Sequence, residues 1–472
     1  FRVIADHVRS SAFLFADGIN PGSDGRGYVL RRLVRRACRH GRVLGFRQAF
    51  LCDVAREVVR LYGEVYPELR SSEEKIHKLL KAEEEKFLVT LDVGITVLRK
   101  EVDRIKESAL KTLTGAVAFQ LHDTYGFPLD MTEDIVRQYG IAVDHHGFTE
   151  QMELQRERSR AARGSDTALI LQRSVKALPT KFVGYEFTDY ESEIVGIFQA
   201  EGEIKSAKLG DEVAVVVRET PFYAESGGQV GDTGSISAGN GWLDVVDTQK
   251  AGGDTIVHIC KVTEGAVGHG DAVRLAIDAN RRKLIRVNHS ATHLVHLALR
   301  EVLGTHVKQA GSRVSENTLR FDFNHFEPIT PEQLDEIESI VNSQILDNYS
   351  VTTELMPVDE AKRSGAMALF GEKYGSVVRV VQIGPRSREL CGGTHAERSG
   401  DIGFVSVLGE GSISAGVRRI EASAGWGALK RHREQRRLIK RTVALLKSSE
   451  HELEDRVAKL LDRGRDTERQ LQ

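Results

Sequence analysis

Two short segments of this sequence combine histidine and cysteine at a spacing that suits metal binding. One is His289-Ser-Ala-Thr-His293 and the other is Cys391-Gly-Gly-Thr-His395. Side chains four residues apart on a helix share one face, about 5–6 Å apart at Cβ. Three imidazoles and one thiolate would complete a tetrahedral shell of nitrogen and sulfur ligands, which zinc prefers. The sequence therefore predicts one Zn²⁺ held by His289, His293, Cys391 and His395.

The same residues allow other chemistry. A zinc-protease helix would need glutamate directly after the first histidine, and Ser290 in that place argues against a peptidase. Cys391 could instead be a nucleophile with a histidine base, although zinc binding is the better interpretation. A shell closed by all four ligands would be structural, whereas a catalytic ion keeps one position for water. Gln309 could orient substrate or water, or be an ordinary surface glutamine.

A second candidate for chemistry is an arginine-rich helix near the start of the chain. Eight arginines and no acidic residue occur between Gly25 and Cys52, so helical pairing between oppositely charged neighbours is missing there. The planar guanidinium group suits phosphate oxygens. The pattern favours contact with nucleic acid or phosphate over a merely solvated helix face.

Composition bounds the class of protein that carries these residues. The 472 residues are enough for about three domains, and 40% hydrophobic with 28% charged residues is typical of a globular protein. Four scattered cysteines fit a reducing cytoplasm rather than a disulfide framework. No apolar run is long enough for a membrane span. The chain begins at Phe1 rather than Met, which suggests a fragment.

Changes in hydrophobic period predict a multidomain α+β fold. Residues 1–165 have helical spacing, and residues 166–278 have the short strands and tight turns of a small β-barrel. Residues 279–427 mix helix and strand around the predicted metal ligands. Residues 428–472 form a charged helix whose apolar residues follow the a/d spacing of a starting coiled coil, at Ile439, Val443, Leu446, Leu453, Val457 and Leu460.

Several longer motifs resemble the alanyl-tRNA synthetase family, and they occur in order through nearly the whole chain. They are Arg2–His7, Gly25–Arg32, Phe222–Gly234, Arg286–His293, Phe370–Tyr374, Glu389–His395 and Gly416–Glu421. Enzymes of this family couple alanine to its tRNA with ATP in an N-terminal class II catalytic domain. The motifs of that ATP site are not in this sequence. The resemblance therefore implies a fragment without the catalytic core. ATP and Mg²⁺ would belong only to the missing domain, and the chain would not form alanyl-adenylate.

The resemblance also implies a helical tRNA-recognition domain followed by an editing domain that contains zinc. The editing domain would hydrolyse tRNA(Ala) wrongly charged with serine or glycine, because a pocket that accepts alanine cannot exclude these amino acids strongly. The four metal ligands match the family motif, and Gln309 and Thr394 fall in its editing pocket. We expect water to attack the ester without a covalent intermediate. A cytoplasmic location and a homodimer formed through C-terminal segments are further expectations.

For tRNA binding, the resemblance points to the arginine helix and to an acidic residue after it. The candidate residues are Arg26, Arg31, Arg32, Arg35, Arg36 and Asp123. Asp123 occupies the position that reads the wobble pair of the acceptor stem, although His122 replaces the usual tyrosine before it. The family asparagine that reads the second base is expected where Ser23 or Asp24 stands, and Asn20 is displaced from that position.

Three alternatives remain open. A free-standing trans-editing protein would share the editing motifs but not the long helical region before them. Threonyl-tRNA synthetases have a similar editing module, which would not explain the first domain. A non-catalytic tRNA-binding module could use zinc only to hold its fold.

Overall fold

The computed structural model describes residues 1–22, 25–107, 111–161, 178–367, 375–414 and 416–471. Ser23, Asp24 and the Phe370–Tyr374 motif lie outside these residues, as does the predicted boundary near residue 165. The described chain is a multidomain α+β protein that contains a β-barrel. None of its helices is long and apolar enough to cross a membrane.

The first part of the chain is helical and packs around one core, in which Phe15, Leu30, Leu80, Phe87 and Phe127 are buried. The only strands described in this part are two short parallel ones. The elements are α1 (Arg2–Ala16), α2 (Gly25–Val43), α3 (Leu51–Tyr62), α4 (Pro67–Ser71), α5 (Glu73–Glu107), β1 (Thr112–Leu113), α6 (Gly115–Asp123), α7 (Leu129–Arg137), β2 (Ala142–Val143) and α8 (His145–Ala161).

The middle part is a closed antiparallel barrel. Its sheet has the order β13-β9-β10-β11-β7-β4-β5, and pairing of β13 with β4 closes the ring. Alternating residues such as Val215, Leu243 and Leu275 fill the interior. The strands are β3 (Lys181–Phe182), β4 (Asp189–Gln199), β5 (Gly202–Ile204), β6 (Ser206–Lys208), β7 (Glu212–Val217), β8 (Glu219–Thr220), β9 (Gly234–Ala238), β10 (Gly241–Lys250), β11 (Ile256–Glu264), β12 (Ala266–Gly268) and β13 (Ala272–Ile277).

The third part packs two long helices against antiparallel sheets. The sheets have the orders β14-β15-β20-β19 and β16-β17-β18. Leu319, Phe321 and Phe323 are buried on β15, as their alternation predicts. The elements are α9 (Ala279–Leu303), β14 (Gln309–Val314), β15 (Leu319–Asn324), α10 (Pro331–Leu346), β16 (Val351–Pro357), α11 (Val358–Arg363), β17 (Val377–Ile383), β18 (Ser387–Leu390), a 3₁₀ turn (Ser399–Ile402), β19 (Val405–Ser414) and β20 (Val417–Ala424).

The C-terminal part differs from the single charged helix that the heptad spacing predicts. It contains two helices, α12 (Trp426–Leu446) and α13 (Leu453–Leu471). Lys447, with φ 48°, adopts the left-handed conformation that ends α12. The predicted a/d stripe is therefore interrupted between Leu446 and Leu453, and it is not one continuous coiled-coil seam.

A buried ion pair joins the barrel to α9. Arg282, in the first turn of α9, donates through Nε to both carboxylate oxygens of Asp232 at 2.9 Å. It also donates to the carbonyl oxygens of Gly184 and Pro221, each at 2.8 Å. Arg282 is 4% exposed and Asp232 is 1% exposed. Moving the barrel relative to α9 would leave a buried charge without its partner, which is strongly destabilising. The ion pair therefore holds the barrel against α9 in one orientation.

A second buried carboxylate lies in the helical part. Glu84 on α5 is buried and accepts hydrogen bonds from the backbone N–H groups of Phe50 and Leu51, both at 3.0 Å. Glu84 thereby caps the N-terminus of α3, where the backbone N–H groups have no partner within the helix. Burial raises the pKa of Glu84 from 4.5 to about 7, although the two backbone hydrogen bonds oppose this shift.

We predict that the helical part loses stability as the pH rises from 4.5 to about 7. In this window the folded chain binds more protons at Glu84 than the unfolded chain does, so the free energy of unfolding falls by on the order of 2 kcal/mol. Urea unfolding at several pH values, followed by circular dichroism at 222 nm, measures the effect. Glu84→Gln should flatten this slope, whereas the exposed control Glu107→Gln should keep it. An unchanged slope in Glu84→Gln would contradict the prediction.

Candidate metal centre

The four predicted metal ligands meet in one buried cluster. α9 places His289 and His293 on one face, and the loop after β18 supplies Cys391 and His395. The thiol sulfur of Cys391 lies 3.4 Å from Nε2 of His289 and 3.3 Å from Nε2 of His395. One ligand atom from each of the four residues lies within 4.8 Å of the others. Neighbouring ligands of a tetrahedral zinc site are separated by about 3.3–3.8 Å, so the two distances from the Cys391 sulfur match such a site, and the whole cluster is somewhat wider.

Gln229 of the barrel orients His289. Its side-chain Oε1 accepts the Nδ1–H of His289 at 2.7 Å and the backbone N–H of Thr394 at 2.9 Å. Its Nε2 donates to Oγ1 of Thr394 at 3.0 Å, and the whole side chain is buried. With Nδ1 protonated, His289 presents the lone pair of Nε2 to the cluster, which is the tautomer a metal ligand requires.

Glu389 performs the same task for His293. One carboxylate oxygen of Glu389 accepts from Nδ1 of His293 at 2.7 Å, and the other pairs with Nδ1 of His296 at 2.9 Å. Burial lowers the basicity of His293, but the Glu389 carboxylate outweighs it and raises the pKa of His293 to about 10. A carboxylate behind an imidazole strengthens that imidazole as a metal ligand.

The donor set fits a zinc ion on two independent grounds. First, Nε2 of His293 is buried without a hydrogen-bond partner among the described residues, and metal coordination would satisfy it. Second, burial favours the neutral thiol, but the imidazoles of His289 and His395 hold the pKa of Cys391 well below its usual range. Zinc binds the thiolate form of cysteine together with deprotonated imidazoles, so binding would release the protons that the histidines hold in the metal-free cluster.

The turn that carries Cys391 is fixed by neighbours from both domains. Arg379 on β17 donates to the carbonyl oxygens of Cys391 at 3.2 Å and Gly393 at 2.8 Å. The hydroxyl of Tyr185 donates to the carbonyl oxygen of Gly392 at 2.6 Å, and its ring lies 4.3 Å from the guanidinium carbon of Arg379. A Cβ atom at Gly393 would collide with the His289 ring, so only glycine allows this close approach.

A cavity of about 420 Å³ opens beside the metal ligands. Its walls include His289 and Cys391, together with Tyr223 and Ser226 of the barrel, and Lys250 at the end of β10. This volume accommodates a small polar ligand. Two of the four predicted metal ligands, His289 and Cys391, thus form part of a cavity wall.

The other two predicted pocket residues do not line this cavity. Thr394 is buried, and its hydroxyl is bonded to Gln229. Gln309 begins β14 and donates through Nε2 to Oγ of Ser312 at 3.0 Å, and that hydroxyl is 3.5 Å from the carbonyl oxygen of Gly227 at the cavity. These contacts support positioning roles for both residues, and a direct catalytic role remains a prediction.

The arginine helix α2 is paired more extensively than its sequence indicates. Arg35 is buried, with Nε 2.7 Å from Glu83 and Nη1 2.6 Å from the carbonyl oxygen of Gly126. Arg36 bonds to Asp130 at 2.6 Å and to Asp134 at 3.0 Å. The acidic partners come from α5 and α7, so local helix spacing could not reveal them. We therefore assign Arg35 to the fold and not to a contact surface.

The remaining tRNA candidates are more accessible. Arg26 is exposed, and Arg31 and Arg32 are half-buried on α2. Asp123 is exposed at the end of α6 and accepts a hydrogen bond from Gln155. Ser23 and Asp24 lie outside the described residues, so the second base-reading position stays a prediction.

Gln229 and Glu389 are functional residues that the ligand spacing did not predict. Each lies in one of the family motifs named above, but a glutamine or a glutamate at these positions does not by itself predict a contact with histidine. The only hint in the sequence was a polar residue within a glycine-containing motif. The fold was needed to show which histidine each of these residues contacts.

Comparison with known proteins places these motifs in a family. The family model "tRNA synthetases class II (A)" matches residues 1–281, and "Threonyl and Alanyl tRNA synthetase second additional domain" matches residues 378–421. Alanine–tRNA ligases of Xanthomonas campestris pv. campestris (strain 8004) and Xanthomonas axonopodis pv. citri (strain 306) are 48% and 47% identical to the chain over 474 aligned residues. Each alignment covers 100% of this chain and 53% of the relative. The chain thus spans about half the length of these curated relatives.

The match corrects one prediction from the sequence. We expected a fragment that lacks the class II catalytic core, but the class II model covers residues 1–281 and therefore includes the helical part and the barrel. The prediction took the motifs of the ATP site to be absent from the sequence, and the class II match overturns the separation that followed from it. Membership of a class II family implies ATP and Mg²⁺, so confining these cofactors to a missing domain is not supported either.

We predict that Gln229→Ala weakens zinc binding by about 10–100-fold, because it removes the acceptor that orients His289 and leaves two buried N–H groups unsatisfied. Competition with a chromogenic chelator measures the zinc affinity directly. Gln249→Ala on β10 is the matched control, since Gln249 pairs with Glu225 and Asp247 instead of a metal ligand. Equal zinc affinity in the two variants would show that Gln229 does not support the site.

Proposed function

Because this chain belongs to the class II (A) tRNA synthetase family, we propose that it is part of an alanine–tRNA ligase and carries its editing function. In this proposal the chain binds tRNA(Ala) and hydrolyses Ser-tRNA(Ala) and Gly-tRNA(Ala). The proposal is supported above all by the cluster of three histidines and one cysteine, two of which, His289 and Cys391, line a 420 Å³ cavity. Cys391 and His395 lie within the segment that matches the second additional domain of threonyl and alanyl synthetases.

The reaction is the hydrolysis of an ester. Water adds to the carbonyl carbon that links the amino acid to the terminal ribose, and the ribose oxygen leaves and takes up a proton. The products are the free amino acid and an uncharged tRNA. Such a second site is needed because serine differs from alanine by one hydroxyl group and glycine is smaller than alanine, so a first site rejects both weakly.

The chain's own residues would position the reacting end. Tyr223, Ser226 and Lys250 line the cavity, so they are placed to contact the aminoacylated ribose and its phosphate. His289, His293, Cys391 and His395 would hold the zinc, which when bound supplies positive charge next to the ester. Gln229 and Glu389 keep the ligand imidazoles in place, and Arg379 keeps the Cys391 turn in place.

One observation favours a second possibility. Ligand atoms from all four residues lie within 4.8 Å of one another, which suits a closed shell in which zinc shapes the pocket without binding water. The chain would then still be an editing enzyme if cavity residues orient the water, or a non-catalytic tRNA-binding module if they do not. Homodimer formation through C-terminal segments stays a prediction.

We predict that Cys391→Ala lowers the rate of seryl-tRNA(Ala) deacylation by at least about 100-fold, because a ligand and its charge are lost from the cavity wall. Deacylation of labelled seryl-tRNA(Ala) measures the rate, and atomic absorption measures zinc content. Cys260→Ala is the control, since Cys260 is buried in the barrel core.

Two outcomes would contradict this proposal. Wild-type protein with bound zinc that does not deacylate seryl-tRNA(Ala) would favour the non-catalytic module. A covalent acyl group trapped on Cys391 after acid quenching would favour nucleophilic catalysis and exclude direct attack by water.

A further inference from the structure

Helix α12 projects from the domain that holds the metal ligands. Gly425, with φ +56°, turns the chain out of β20, and Ala428 packs into the domain at the first turn of the helix. From Lys430 to Arg441 every residue is exposed. Over this stretch the helix lacks the packing that normally stabilises a protein helix, although Val443 and Leu446 are partly buried near its end.

The exposed part of α12 is strongly basic on one face. Its only acidic residue is Glu434, which is 3.9 Å from Arg431. Helical spacing of about 100° per residue places the other cations on one arc of the helix. These are Lys430, Arg433, Arg436, Arg437, Lys440 and Arg441. At about 1.5 Å per residue the stripe is roughly 16 Å long, which is enough to follow several phosphates.

A run of charges on a helix is usually an exposed face that contacts only water. We expect such a face to carry both signs of charge, as the next helix does. In α13, the acidic residues Glu454, Asp455, Asp462, Asp466 and Glu468 balance the basic residues Arg456, Lys459, Arg463, Arg465 and Arg469. In α12, like charges stand four residues apart at Arg433/Arg437 and Arg437/Arg441, which destabilises a helix. An anionic partner would remove this repulsion.

A large cavity opens at the base of the same helix. Its volume is about 830 Å³, and it lies between α9 and the start of α12. Phe404 and Trp426 line it and remain 46% and 68% exposed, while Lys283 and His432 add basic side chains and Asp401 an acidic one. Exposed aromatic rings next to cations are the arrangement on which unstacked RNA bases bind.

This surface is separate from the metal centre. Lys283, Leu284 and Val287 line the cavity from one face of α9. By helical periodicity His289 and His293 occupy the opposite face. A ligand on the α12 side is therefore separated from the metal ligands by about the 10 Å thickness of a helix.

We propose that the basic face of α12 and the adjoining aromatic cavity form an RNA-binding surface. The phosphates of one strand lie along the arginine stripe, and an unstacked base enters the cavity against Trp426. An acidic polypeptide would match the stripe equally well, but it would not use exposed aromatic rings beside cations as RNA does. This binding does not depend on hydrolysis at the metal centre.

Equilibrium binding of a tRNA(Ala) transcript, an unrelated tRNA and polyglutamate to the full chain tests the proposal, with fluorescence anisotropy measured from 50 to 300 mM KCl. The test variant is Arg433→Gln/Arg436→Gln/Arg437→Gln/Lys440→Gln. The control, Arg456→Gln/Lys459→Gln/Arg463→Gln/Arg465→Gln on α13, removes the same charge from an exposed helix. We expect the test variant to bind both RNAs at least about 10-fold more weakly, with a salt slope lower by about 3, and the control to change affinity less than about 3-fold.

A second variant separates stacking from charge. Trp426→Ala should weaken RNA binding by about 5-fold or more without changing the salt slope, because a base–aromatic contact carries no counterions. Equal losses in the α12 and α13 variants, or no loss in the α12 variant, would overturn the proposal. Polyglutamate binding as tight as RNA binding, and equally dependent on α12, would assign the surface to an acidic polypeptide instead.

Failure here is distinguishable from failure of the editing proposal. The α12 variants should retain zinc and should deacylate saturating seryl-tRNA(Ala) at the wild-type rate. Cys391→Ala should keep its affinity for RNA at the α12 surface. Loss of zinc in the α12 variant would show that the substitutions act on the fold and would overturn the assignment of its binding defect to the surface.

Discussion

The arrangement of the metal centre depends on the buried contact between Arg282 and Asp232. A buried guanidinium and carboxylate have to be paired and hydrogen-bonded, and Arg282 meets that need only when the barrel lies at one place on α9. His289 follows Arg282 by two helical turns, and Gln229 precedes Asp232 by three residues in the barrel. The ion pair therefore brings Gln229 to His289. Two domains that contribute different parts of the site are aligned by one charge pair.

The sequence predicts the local features of this protein well because they depend on near neighbours. Hydrophobic period distinguishes the helical part from the barrel, and alternation identifies β15 correctly. The metal ligands could also be predicted from the sequence, because a cysteine and several histidines at short spacing together favour metal binding over other roles. The break at Lys447 was missed because the apolar spacing continues across it, while the left-handed turn leaves no comparable pattern.

Contacts between distant segments could not be predicted from the sequence, because they depend on how the folded elements pack and not on the spacing of neighbouring residues. Arg36 pairs with Asp130 and Asp134 at separations of 94 and 98 residues, so an arginine run that looks uncompensated in the sequence is partly neutralised inside the fold. Glu389 shows the same limit, because its oxygens are shared by two histidines on another element. The arginines of α2 and α12 differ in this respect, because acidic residues of other helices pair with Arg36 on α2, whereas every residue from Lys430 to Arg441 on α12 is exposed. Arginines become evidence for a nucleic-acid surface only after their folded partners are known.

The metal ligands also link parts of the chain that are made at different times. Cys391 and His289 are 102 residues apart, so an ion held by both would close a long loop and restrict the unfolded chain. A nascent chain leaves the ribosome from its N-terminus, and the histidines of α9 are complete long before the cysteine arrives. Zinc can therefore be captured by the full ligand set only after the intervening sheets have emerged and folded. Metal content would then report whether synthesis of this domain has finished correctly, and prematurely terminated chains would remain without the ion.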